Sequence, residues 1–271
     1  MRIGVQTFVM AAAMLLTATA QAVDVPIDRG AYTLKAQQDG QGELAVVFEA
    51  GFGQGSSVWR EVIAGLGEEC SCVSYSRAGL GDSGTDSAPK TIEAHLTDLA
   101  AVIDTLAPGQ EVVLVGHSYG GLLATEFARR HPSRVRGLVL VDPATLGQRR
   151  DFLQADRARV LEDDAALLKM LPPTMAADYQ LLVDQLDRLG ATGPAAMPDV
   201  SVALLTATRV ADEPFVFEET AQGKALWKTQ HAALFAQFNQ GSHIYFATGH
   251  NIHREDPKAV VNAIRLVSKL D

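Results

Sequence analysis

Short apolar runs rich in β-branched residues alternate along the chain with stretches in which apolar positions recur every three or four residues. LAVVFEA (Leu44–Ala50), CVSYS (Cys72–Ser76), VVLVGH (Val112–His117), GLVLVD (Gly137–Asp142), VALLTA (Val202–Ala207) and HIYFAT (His243–Thr248) predict strands. Several are apolar nearly throughout, as strands buried on both faces must be. YTLKAQ (Tyr32–Gln37) alternates instead and predicts an edge strand. Between the runs, Ile92, Leu96, Leu99, Ile103 and Leu106 follow helical spacing, with Thr91 placed to cap the start and Pro108-Gly109 to stop the helix. YGGLLATEFARRHP predicts a helix directly after Ser118, ending before Pro132, and DPKAVVNAIRLVSKL predicts the last one, with Pro257 in its first turn.

This alternation predicts an α/β fold: a mostly parallel sheet with helices on both faces. One region breaks it. From about 143 to 198 the sequence is helical and charged with no strand, too long for a simple connection, and it predicts a helical cap over the sheet's C-terminal edge. Trp227 and Phe235, eight residues apart in a helical stretch, read as core or pocket wall.

Composition narrows the picture in three ways. Residues 1–22 carry one basic residue, Arg2, then an apolar stretch and the small-x-small pattern Ala20-Gln21-Ala22, which reads as a signal peptide cleaved after Ala22. The expectation is an exported protein, periplasmic or secreted, whose domain is 23–271 and which retains no membrane span. The full chain has a formal net charge of −9, made one unit more negative by loss of Arg2, and no basic run, so nucleic acid and anionic lipid are not expected partners. The two cysteines, Cys70 and Cys72, are one residue apart, too close for an unstrained disulfide and too few for a metal site; Cys72 reads as a small apolar strand residue.

Candidate chemistry centres on Gly116-His117-Ser118-Tyr119-Gly120, a G-x-S-x-G pattern between a buried strand and an amphipathic helix. A serine held in such a turn is exposed beside the free N–H groups of a helix N-terminus, where an anion can form. Its hydroxyl needs a base, and His250, just past the last predicted strand, is the candidate, with His253 as rival. A carboxylate must then orient the imidazole. Asp142, ending its strand between Ser118 and His250 in the chain, is the candidate, with Asp212 as rival. The His250–His253 spacing with nearby Glu255 does not match a metal pattern, so no metal or other cofactor is expected.

Together these motifs resemble the α/β-hydrolase superfamily, and the resemblance runs from about Leu44 to Leu270. VVFEAGFGQGSSVW resembles its oxyanion segment, SYSRAGLGDSG its glycine-rich turn, and GHNIHREDP its histidine loop. The resemblance implies that backbone N–H groups of Phe52 and Tyr119 form an oxyanion hole. Three departures stand out: Glu49 replaces the usual histidine, Ser76 the usual aspartate, and the acid usual after the strand ending at Ala207 is absent, which favours Asp142. A serine nucleophile implies acyl transfer to water: a serine hydrolase cleaving carboxylic esters or related acyl compounds, with a small-molecule substrate. Perhydrolase or haloperoxidase chemistry, C–C or amide cleavage, transfer to an alcohol, and a non-catalytic binding role are the alternatives.

Overall fold

Residues 22–189 and 197–269 are described by the structure, a computed structural model. All but the last residue of the expected leader, and residues 190–196 of the expected cap, lie outside them. The predicted strands are present with ends shifted by up to two residues: β2 (Thr33–Asp39), β3 (Ala45–Glu49), β4 (Ser71–Tyr75), β5 (Val112–His117), β6 (Val135–Val141), β7 (Ser201–Ala207) and β8 (Gly241–Phe246). An eighth strand, β1 (Val23–Asp28), was not expected from the pattern. It pairs antiparallel with β2 and takes the edge, so Tyr32–Gln37 belongs to the second strand rather than the edge.

The sheet order is β1-β2-β4-β3-β5-β6-β7-β8, with β2 antiparallel to β4 and every later pairing parallel. Successive residues of the central strands serve different cores because side chains alternate across a strand. Val47, Leu114, Leu138 and Leu140 face one apolar cluster, covered by α2 (Ile92–Leu106) and α3 (Tyr119–Arg130). Val46, Phe48, Val113, Val115, Val139 and Val141 face the other, covered by α1 (Arg60–Leu66) and α8 (Pro257–Ser268). Thr91 caps α2 as its position suggested, accepting from the Ala94 N–H at 3.1 Å. Asp256 does the same for α8.

Between β6 and β7 run two long helices, α4 (Gln148–Met170) and α5 (Pro173–Leu189). A further helix, α6 (Ala221–Phe235), precedes β8, and the short α7 (Ile252–Glu255) precedes α8. Helix α5 sits over the loop after β3: the Tyr179 ring lies 5.7 Å from that of Phe52, and Met175 Sδ is 3.1 Å from where a Cβ on Gly53 would stand. Cys70 and Cys72 are both buried and free, with Cys72 in the β4 core as its pattern suggested. No helix among the described residues is long and apolar enough to cross a membrane.

Candidate active site

Ser118 stands at the junction of β5 and α3 with φ +52° and ψ −120°, a conformation that non-glycine residues rarely adopt and that costs energy unless the surroundings enforce it. The enforcement is visible. The Ser118 carbonyl accepts from Gly121, Leu122 and Ala144, and its N–H donates to Val141. A Cβ on Gly120 would lie 2.2 Å from the Glu49 carbonyl oxygen, and one on Gly121 would lie 2.5 Å from Pro143 Cβ. Only glycines let α3 start this close to the ends of β3 and β6. Ser118 is partly exposed while its neighbours on both sides are buried.

His250 comes from the loop after β8 and Asp142 from the end of β6. His250 Nδ1 lies 2.7 Å from Asp142 Oδ2. The other carboxylate oxygen accepts from the Ala207 N–H at 2.8 Å and from Trp227 Nε1 at 2.7 Å, so Asp142 is fully buried with both oxygens engaged. Burial alone would raise its pKa; the bond and charge of His250 outweigh this and hold the carboxyl below the ordinary aspartate value. For His250 burial works downward, and the charge of Glu218 together with the bond and charge of Asp142 reverse it, raising the imidazole above its usual value. No hydrogen bond joins the Ser118 hydroxyl to His250; such bonds are often loose before substrate binds. The loop carrying His250 is tied to the strand end just before Ser118 by His117, whose Nε2–H donates to the His250 carbonyl at 3.0 Å and whose ring centroid is 4.6 Å from that of His250.

The rivals fall elsewhere. Asp212 is exposed on the loop after β7. His253 is buried between Trp59 and His117, with neither ring nitrogen hydrogen-bonded. The N–H of Tyr119, first in α3, is one of the four that a helix start leaves open, and the Phe52 N–H has no acceptor among the described residues. Both peptides border a cavity of about 680 Å³ whose apolar wall includes Ala78, Leu80, Met175 and Leu181. The cations lining it are committed: Lys90 to Asp86 and the Tyr32 ring, Arg77 to backbone carbonyls.

Three contributors were not legible from motif spacing. Trp227, expected as core or pocket wall, also bonds Asp142. Arg77 donates to the carbonyls of Ala50 at 2.6 Å and Gly51 at 2.5 Å, clamping the segment that presents Phe52. Glu49, the departure from the usual histidine, lies beneath this clamp, accepting from the Tyr75 hydroxyl at 2.8 Å and facing Arg77 at 3.5 Å; burial pushes its carboxyl up, tempered by Arg77 and Tyr75. Ser76, the other departure, accepts from the Ser56 N–H at 3.1 Å and so ties the turn to the chain just past the segment that carries Phe52. Among the described residues, Asp142, Glu218 and His250 are the group close enough to share a metal ion, but Asp142 spends both oxygens on the bonds above.

Sheet order, elbow and histidine loop define an α/β hydrolase. The model of the alpha/beta hydrolase family matches residues 46–263, and the chain belongs to that family. It is 27% identical over 226 residues to the uncharacterized protein YqjL of Bacillus subtilis, covering 83% of each chain. It is also similar to a haloalkane dehalogenase of Sphingobium indicum, 33% identical over 147 residues that make up 47% of this chain and 49% of the other. A thermophilic esterase from Thermogutta terrifontis shares the fold with a TM-score of 0.58 at 20% identity, over 91% of this chain and 97% of that one.

Proposed function

We propose that the protein is a serine hydrolase acting on carboxylic esters or related acyl compounds. The observation that carries this reading is the 2.7 Å bond between His250 Nδ1 and buried Asp142, in a chain that also holds Ser118 at positive φ where a central strand meets its helix. The family includes a dehalogenase among this chain's relatives, so membership alone leaves the reaction open. A serine in the elbow favours attack on a carbonyl carbon, since the resulting acyl ester is one that water can cleave.

Ser118 Oγ attacks the substrate carbonyl as His250 Nε2 takes its proton, and Asp142 stabilises the imidazolium. The oxygen that becomes negative is met by the N–H groups of Phe52 and Tyr119. Collapse expels the alcohol, which leaves with the proton from His250. Water, deprotonated by the same imidazole, then releases the acid and restores Ser118. The cavity beside Phe52 and Tyr119, mostly apolar and with its cations already paired, suits an uncharged acyl or alcohol group of moderate size.

A panel of p-nitrophenyl esters of increasing chain length tests this. Turnover with a burst of one nitrophenol per active site, lost in Ser118→Ala, is the expected result. Turnover that survives in Ser118→Ala would refute the reading. We also propose that the activity resides outside the cytoplasm, as the leader suggests; cell fractionation with N-terminal sequencing of the mature protein would show a start at Val23.

A further inference from the structure

The loop between β7 and α6 brings a second carboxylate to the imidazole. Glu218 lies in a three-residue turn, Phe217–Glu219, and its Oε1 is 3.9 Å from His250 Nδ1, the nitrogen that Asp142 bonds. Several contacts fix that turn. Phe217 is buried against Phe152, with ring centroids 5.2 Å apart, and its N–H donates to Asp163 of α4 at 2.6 Å. Arg159, bonded to Asp163, donates to the carbonyls of Pro214 and Phe215. Glu218 Oε1 also accepts from Lys224 Nζ at 2.5 Å, and Lys224 is only 2% exposed. Lys224 and Trp227 are three residues apart on one face of α6, so a single helix turn serves both carboxylates, one through an ammonium and one through an indole.

At 3.9 Å the Glu218–His250 pair is beyond hydrogen-bond range, yet well within the reach of charge coupling in a partly enclosed site. The other titratable groups facing the imidazole are Asp142 from β6, His117 from β5, His231 from α6 and His253 from α7. The three histidines are held neutral chiefly by burial, His231 pushed down to about 4, His253 to about 3 and His117 well below its usual value. Asp142 is a fixed anion. Among the described groups this leaves Glu218 and its partner Lys224 as the remaining charged pair beside the base.

We propose that Glu218 is a second counter-ion of the proton relay: with Asp142 it stabilises the imidazolium formed when His250 takes the Ser118 proton, and Lys224 sets how strongly it does so. This rests on the serine-hydrolase reading of the site. Glu218 forms no bond to reacting atoms; it is a tuning residue acting through His250.

The test follows the His250 imidazole directly, by its ¹⁵N shifts against pH, alongside the acid limb of kcat/KM on an ester substrate. Glu218→Gln should move both to lower pH by about one unit, because an anion that favours the imidazolium has gone. Lys224→Met should move them to higher pH. If Lys224→Met does not fold, Glu218→Gln/Lys224→Met, which leaves no unpaired charge, should still shift them to lower pH, but by less than Glu218→Gln alone. A Glu218 that only anchors Lys224 would alter stability without displacing the His250 titration. Titrations of Glu218→Gln and wild type that coincide would overturn the proposal. The imidazole titration needs no turnover, so a wild type that labels no serine would defeat the hydrolase reading and still leave the charge coupling measurable.

Discussion

Replacing Arg77 by methionine separates the orientation of the Phe52 N–H, the proposed oxyanion donor, from the folding of the segment that carries it. The guanidinium donates at 2.6 Å and 2.5 Å to the Ala50 and Gly51 carbonyls and faces Glu49 at 3.5 Å. The Gly51 carbonyl and the Phe52 N–H belong to one planar trans peptide, so pinning the oxygen points the N–H the opposite way. Two bonds from a charged donor, at about 1.5–3 kcal/mol each, suggest a stability loss of about 3–6 kcal/mol. Burial already pushes the Glu49 carboxyl up, and losing its cation leaves this buried group without its charged partner, a further cost of the substitution. Misaligning one oxyanion donor should cost about 10²–10³ in kcat. Glu49→Gln/Arg77→Met removes the orphaned carboxylate and should recover part of the stability while leaving kcat low. Urea unfolding gives the first quantity, and ester turnover per folded active site gives the second. A kcat for Arg77→Met within about threefold of wild type, once corrected for the folded fraction, would refute the clamp, since known donor losses are far larger.

Other consequences follow from the same geometry. Asp142→Asn keeps a residue that tolerates the φ of +46° at this position but loses the counter-charge to His250; ester turnover should fall roughly 10³–10⁴-fold with little change in melting temperature. Gly120→Ala puts a Cβ 2.2 Å from the Glu49 carbonyl, and thermal unfolding should show a loss of at least about 2 kcal/mol together with lost labelling of Ser118. Buried His95, His231 and His253, pushed down to about 3, 4 and 3, together with His117, stay neutral in the folded chain but protonate in the unfolded one below about pH 6.5. The unfolded state therefore binds more protons between about pH 6.5 and 3, and stability must fall with pH across that window. Urea midpoints measured from pH 7 to pH 4 should decline, and a flat profile would contradict the neutral-histidine assignment.

Legibility from the sequence follows physical strength. The central strands were readable because β-branched runs buried on both faces leave little else for the chain to be, and the elbow because Gly116, Gly120 and Gly121 each make room for backbone. Strand β1 was not: Val23, Val25 and Ile27 alternate, but the run contains a proline, exposes most of its side chains and directly follows the expected leader. Ser118, Asp142 and His250 could be placed because each ends or follows a predicted strand at the sheet's C-terminal edge. Glu218, Lys224 and Trp227 could not, since they reach the imidazole and its carboxylate from a turn and a helix whose position depends on packing against α4. Arg77 was within sight, being part of the glycine-rich turn, but its donation to the β3 loop is a tertiary contact between strands adjacent only through crossover.

The central claim is that Ser118 is an activated nucleophile driven by His250 and Asp142. Intact-mass analysis of the protein treated with a small fluorophosphonate tests it most directly. One adduct per chain, mapped to Ser118, absent from Ser118→Ala and strongly slowed in His250→Ala, is the predicted result. A wild type no more reactive than Ser118→Ala towards the smallest probe would contradict the account.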